Sequence, residues 1–485
     1  MKPVMTRGLM ATALASIFCA GSVSLHAQTP GTLDQDFGVG GRLTVDFNNG
    51  SDEAYAVKPL KDGRFLVAGD VHGPNATGPG ATGNLSVSRF LPDGRVDPTF
   101  ADDGTFELDL DGGFDDARAI ATLPDRSILL AGSLSQNAYS DFGIVKLTPD
   151  GELDTAFGRS NGVNRNGWNR LDIGGSAIHD DPVAIARQRD GKIIVAGKSS
   201  DAARYARVAV ARFTADGQPD LTFGGNNTGY VIVPGLVDER SDYVRAIALD
   251  ARDNLAANDS ITLVGYTTTY SEAFVIRLTA NGALDTTFGA NAAGGGRTGR
   301  VTLTSTRPGG VYQGVSMLAS ARLVAGNKIA LLGMGGDRGL TFLRLNNDGS
   351  LDTTFGTNGR TLIKYSDSSR EDIPFSLAVQ GNGRLVGAGF ALNVATGAPR
   401  DDFFVARLNA NGSPDNSFGD GQARAVVQVA TDRDQAQAVS IEPSGRILVA
   451  GFARRPETSQ HDFALIRLHG DPDRVRFHDF ELPHD

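Results

Sequence analysis

Apolar and polar residues alternate in short stretches along most of this chain. Leu43, Val45 and Phe47 alternate with polar neighbours, as do Phe106, Leu108 and Leu110. A period of two marks a strand with one buried face. Denser apolar runs end in glycine, at residues 65–69, 128–132, 193–197, 261–265, 329–333, 385–389 and 447–451. A third kind of run ends in a basic residue followed by an apolar one: Arg89-Phe90, Lys146-Leu147, Arg212-Phe213, Arg277-Leu278, Arg344-Leu345, Arg407-Leu408 and Arg467-Leu468. A fourth, shorter run precedes the glycine-ended one, as at 54–57 and 436–439. Beyond residue 27 no stretch carries a helical period of useful length, so the pattern predicts strands throughout.

These four kinds of strand recur in a fixed order. A turn motif, Leu33-Asp34-Gln35-Asp36-Phe37-Gly38, marks each period and returns around Phe100, Phe157, Phe223, Phe288, Phe355 and Phe418, at intervals of 57 to 67 residues. Four strands repeated seven times predict an all-β chain, a seven-bladed β-propeller with four antiparallel strands per blade. A β-solenoid is the alternative, but its coils are usually shorter than about 30 residues. The ends of the chain argue for ring closure. The strand at 42–47 has no partners before it, and the last period stops at Leu468 without a turn motif. The N-terminal strand therefore completes the last blade, because an open ring would leave exposed sheet edges.

The segment Asp348-Gly349-Ser350-Leu351-Asp352-Thr353-Thr354-Phe355-Gly356-Thr357-Asn358-Gly359 follows a strand ending in Arg344-Leu345. It resembles the delta-60 repeat family of bacterial exported β-propeller proteins. The resemblance runs from about residue 31 to 470, and the second copy departs from it with Ala101 in place of glycine. It implies an exported propeller and supplies no activity.

Residues 1–27 carry Lys2 and Arg7, then an apolar run from Leu9 to Ala20, then small residues up to Ala27. They read as a secretory signal peptide. A membrane anchor would need a longer apolar run, and Phe18 before the single cysteine, Cys19, argues against lipidation. The expected organisation is a signal at 1–27, a propeller at 28–470 and a tail at 471–485. The expected location is exported, periplasmic or extracellular. Without the signal the chain has no cysteine, so no disulfide staples it and thiol chemistry is excluded. It then holds 44 basic against 56 acidic residues, a net charge of −12. No nucleic-acid partner is expected from that balance, nor an integral membrane segment, and the expected state is a monomer.

The residues repeated in every period, Asp34, Asp97, Asp154, Asp220, Asp285, Asp352, Asp415 and their phenylalanines, read as scaffold. The aspartates hold turns, the rings fill the space between blades, and the basic residue of the third strand pairs with the aspartate. Function is expected where blades differ, on the face carrying the loops 70–84, 133–141, 198–207, 266–272, 391–401 and 452–461. Aligning the innermost strands on Ala54-x-Ala56 places Asp52, Asp115, Asp180, Asp242, Asp372 and Asp434 at one position, with Gly310 and the nearby Arg307 in the fifth blade. These six aspartates are the candidate ligand-binding residues. One reading is that each caps its own turn; the other is that they ring a channel mouth and hold a basic group or a cation such as Ca²⁺. Tyr139, Tyr205, Tyr266 and Tyr270 are candidate aromatic contacts. Asp109-x-Asp111-Gly112 faintly resembles a calcium loop but lacks its later glutamate. No nucleophile elbow, phosphate loop or metalloprotease motif is present. The leading expectation is a non-enzymatic binding scaffold for a glycan, a peptide or an envelope protein, with no cofactor. A polysaccharide hydrolase or lyase using channel-mouth carboxylates, and a structural or adhesin-like role, are the rivals.

Overall fold

The structure is a computed structural model, which describes residues 29–471 apart from 48, 74–82, 111, 137–138, 160–164, 176–177, 201–204, 235–240, 251–259, 268–271, 293–294, 305–314, 367–370, 394–399 and 459. Among the described residues there are 28 strands and no helix, arranged as seven four-stranded antiparallel sheets in a ring. The protein is a seven-bladed β-propeller. Blade 1 runs from its inner strand, Glu53–Pro59, through Phe65–His72 and Gly83–Phe90 to its outer strand, Thr105–Leu108. Blades 2 to 6 follow the same order. Blade 7 takes Asp434–Ile441, Ile447–Arg454 and His461–Leu468 from the end of the chain and Arg42–Val45 from its beginning. Arg42 pairs with Ile466 and Val45 with Phe463, as ring closure required. The two ends also share a turn: Gly31 N–H donates to the His469 carbonyl at 2.7 Å and His469 N–H to that of Thr32 at 2.8 Å.

The core lies between blades rather than within them. At the seam of blades 7 and 1, Phe37, Phe65, Val67 and Phe90 pack against Leu448, Ala450, Phe463 and Leu465. All seven motif phenylalanines are at most 1% exposed.

One clasp joins each blade to the next. The motif aspartate accepts the N–H of the residue two positions on, at 2.9–3.2 Å in all seven copies. In six blades the third-strand arginine donates its Nε to that aspartate at 2.6–2.8 Å. The same guanidinium lies 4.4–4.8 Å above the motif phenylalanine ring. The N–H after the phenylalanine donates to a turn carbonyl of the following blade at 2.7–3.1 Å, and in blade 6 that carbonyl belongs to Pro30. Blade 2 uses Lys146, 2.8 Å from Asp154, and Arg165 supplies the guanidinium that reaches the next turn, at Asp216. The copy with Ala101 keeps the left-handed backbone, φ 48°. Asp471 pairs with Arg384 and Arg407 of blade 6.

The glycine that ends each second strand has a steric role. A Cβ at Gly69, Gly197, Gly389 or Gly451 would collide with the inner-strand carbonyl of Glu53, Asp181, Ile373 or Gln435. The register slips by one residue just beyond that carbonyl, leaving Tyr55, Val183, Phe375 and Gln437 as bulged residues. Arg245 is the bulged residue of blade 4, and Arg118 occupies the same position in blade 2. A bulge re-aims a side chain, so this variable position is presented on the inner strand of each bulged blade.

Candidate functional site

The loops between second and third strands, and between one blade's outer strand and the next blade's inner strand, gather on the face opposite the repeated turns. The six candidate aspartates stand where the chain enters the inner strand there, and all are at most 1% exposed. They are bonded into the seams. Asp52 accepts from Phe47 N–H at 2.6 Å and His72 N–H at 3.3 Å. Asp115 accepts from Leu110 and Ser135 at 2.6 and 2.7 Å. Asp180 accepts from Ile173 and Gly174, Asp372 from Tyr365 and Ser366, and Asp434 from Val429 and Ala430. Arg207 stands 3.9 Å from Asp242. Five of the six thus bolt the exit of one blade's outer strand to the next blade's inner strand. The capping interaction is present at those five, and none of the six carboxylates is exposed as a mouth ring requires. Burial pushes Asp52 and Asp434 up to about 7 and Asp115 to about 6, against the N–H donors that favour the charged form.

In the fifth blade the expected alignment is corrected. Leu318 pairs with Gly333 as Ala54 pairs with Gly69, and Val315 stands opposite Gly335 as Asp372 stands opposite Ala391, so Val315, not Gly310, occupies the aspartate position, with Ser316 bulged beside it. The Ser316 hydroxyl donates to the Met334 carbonyl at 3.1 Å. The longer loop before this strand displaced the sequence alignment. Gly310, Arg307, Tyr270 and Asp111 lie outside the described residues. Asp109 caps its own turn by accepting Gly112 N–H.

Two seams bring three carboxylates within reach of one ion: Asp46, Asp52 and Asp462, and Asp141, Asp172 and Asp180. In the first, Arg455 bridges Asp46 at 2.7 Å and Asp462 at 3.0 Å, so a guanidinium already supplies the counter-charge. In the second, Arg170 stands 3.8 Å from Asp141. Its three carboxylates are oxygen ligands of the kind a hard cation takes.

A groove of about 390 Å³ opens on the loop face over blades 2 and 3, the size of a small-ligand site. Phe114, Ser133, Ser135 and Tyr139 line it from blade 2 and the loop before it, with His179, Asp181 and Lys198 from the other side. Phe114 is 38% exposed. The Tyr139 and His179 rings are 5.2 Å apart. Arg118 lies over the Tyr55 ring at 3.7 Å and donates its Nε to Asp116 at 2.5 Å. Lys198 pairs with Asp181 at 2.8 Å and sits over the Tyr243 ring at 5.4 Å. Beside the groove, Glu53 accepts from Tyr55 and meets His461, both at 2.7 Å, and Asp70 meets His72 at 2.6 Å. Its bond to Asp70 raises the His72 pKa, and burial raises that of Asp70 itself.

Ser140 Oγ lies 3.1 Å from His179 Nδ1, but Asp181 approaches the serine, at 3.4 Å, rather than orienting the histidine. The three therefore do not form a relay of nucleophile, base and orienting acid. Of the candidate tyrosines, Tyr139 is in the groove, Tyr205 lies beneath Arg207 and Tyr266 stacks on Tyr243. Sequence reasoning missed Phe114, Arg118, His179 and Lys198. Only Arg118 had a readable signal, the variable position between small residues of the inner strand.

The fold and this site define a repeat β-propeller with a ligand-sized groove on its variable face. Comparison with known families agrees with the repeat. Residues 123–157, 188–223, 256–288, 332–355 and 380–418 match the family described as "Domain of unknown function (DUF5122) beta-propeller". Each matched segment ends at a motif phenylalanine. No curated protein matches the chain. Among solved structures, the catalytically inactive virginiamycin B lyase from Staphylococcus aureus with quinupristin is similar at 10% identity and TM-score 0.46, over 88% of this chain and 98% of that one. The polysaccharide lyase Uly1 is similar at 10% identity and TM-score 0.42, over 86% and 90%. Sqt1 from Chaetomium thermophilum is similar at 13% identity and TM-score 0.40, over 84% and 82%. At these values the likenesses carry no function across.

Proposed function

We propose that this chain is an exported propeller of the delta-60 type that works as a binding scaffold, taking its partner on the loop face at the groove over blades 2 and 3. The groove carries the reading: it combines aromatic surface, the exposed Phe114 and the half-buried Tyr139, with converging polar groups on a rigid frame. Among the named side chains lining it, each carboxylate and each strong cation has an internal partner, an arrangement that suits recognition better than proton transfer. The protein freed of residues 1–27 is to be screened against a glycan array and an envelope extract, beside Tyr139→Ala. Capture that the substitution abolishes supports the reading. Capture indifferent to the substitution moves the site elsewhere, and turnover of a polysaccharide replaces the scaffold with an enzyme.

A further inference from the structure

We infer that the ligand of this groove is a neutral saccharide; the inference rests on the groove being the binding site and adds the class of ligand. Formal charge is the first argument. Asp116 and Asp181 are the groove's carboxylates, and Arg118 and Lys198 its cations. They cancel in number and they are paired, Arg118 with Asp116 and Lys198 with Asp181. Each cation also has an aromatic face beneath it, Tyr55 or Tyr243. An anionic ligand meets cations whose charge a carboxylate already offsets, and a cationic ligand meets carboxylates offset in the same way, so neither finds an unpaired counter-charge. The groove therefore does not select by net charge.

Shape and polarity are the second argument. A pyranose is uncharged, with an apolar face of C–H groups and a rim of hydroxyls. Phe114 and the adjoining rings of Tyr139 and His179 offer apolar surface for the face. Around them the ion-paired groups keep hydrogen-bonding capacity: a carboxylate has about four lone-pair sites and a guanidinium five N–H donors. Asp116 uses one site for Ser133 N–H and one for Arg118. A ring hydroxyl can donate to the carboxylate and accept from the cation of one pair without separating them. A peptide strand is the poorer fit, because it would need an unpaired sheet edge, and the second and third strands beneath the groove are paired on both sides.

Calorimetric titration of the protein with cellohexaose, xylohexaose, mannohexaose and, as the anionic counterpart, hexagalacturonate tests this. The expected result is binding of a neutral oligosaccharide with an affinity nearly independent of salt. Phe114→Ala and Tyr139→Ala should each weaken it about tenfold, the scale of a lost aromatic contact. Tyr139→Phe should preserve it, and all three variants should keep the parent melting temperature. Preference for hexagalacturonate with steep salt dependence overturns the inference. So does neutral binding that both alanine variants leave untouched. If none of the four sugars binds while Tyr139→Ala abolishes capture of another partner, the saccharide inference falls and the groove reading stands. If all capture is indifferent to the groove variants, both fall.

Discussion

The two faces of the ring are built from the same strands and obey different rules. On the turn face one clasp repeats at every seam: an aspartate holding its own turn, a guanidinium on that aspartate, and a buried phenylalanine beneath. Its variations are substitutions of the same part, such as Lys146 with Arg165 in blade 2. On the loop face the aspartate position repeats in six blades, but its surroundings do not. It meets two further aspartates and Arg455 at one seam, and Arg207 at another. Repetition marks what every blade needs to stay in the ring. Divergence marks surface relieved of that duty, and the groove opens in such a region.

The largest break in this contrast is removal of the clasp's last copy. A chain beginning at residue 48 lacks Asp34, Phe37 and the outer strand Arg42–Val45, leaving blade 7 with an open edge. It should fail to fold as a monomer; an unchanged melting temperature and monomeric elution would refute the closure.

Single clasp residues come next. Phe355→Ala should cost about 3–5 kcal/mol, since the ring is wholly buried between blades. Asp220→Ala should cost a similar 3–5 kcal/mol, because Arg212 is 2% exposed and loses its Nε partner. Denaturant titration measures both. Ala101→Gly should work in the opposite direction, gaining about 0.5–1 kcal/mol by relieving the left-handed backbone at φ 48°.

The faces should also differ in pH response. In the clasp, burial opposes ionisation of Asp97 and Asp220, but hydrogen bonds from Thr99 and Thr222 and the nearby cations outweigh it and lower both to about 2. The folded clasp binds fewer protons than the unfolded chain, so its contribution is lost as pH falls from about 4 to 2. The seam aspartates have the opposite sign. Asp52 and Asp434, raised to about 7, bind more protons folded than unfolded, so stability declines as pH rises from about 4 to 7. The melting temperature should therefore peak in mild acid, near pH 4–5. A maximum at pH 8 contradicts the seam assignment. The smallest stability effect should be that of Tyr139→Ala, within about 1 kcal/mol, as expected for a surface position outside the clasp.

Much of the turn face was legible because its parts are close in sequence. The aspartate bonds two residues onward, and the arginine stands eight residues before it. The glycines ending the second strands were visible as a repeat, while their purpose, admitting an inner-strand carbonyl, was not. The six aspartates were visible as a pattern, and the fifth blade was misaligned because ladder register, not loop length, decides which residue takes the position. Their burial was hidden. Asp52 reaches back five residues to Phe47, past the outer strand of blade 7, but also to His72, twenty residues on in blade 1.

By itself the sequence determined the number of blades, the order of strands, the closure and the clasp. Those follow from periodicity and short-range bonding, which the order of residues carries directly. Tertiary structure decided which carboxylates are sealed in the seams and where the groove lies. Hydrophobic alternation reports how a residue faces its own sheet, not what the next blade lays over it. Phe114, Tyr139, His179 and Lys198 share no local pattern, and only the packing of blade 2 against blade 3 brings them together.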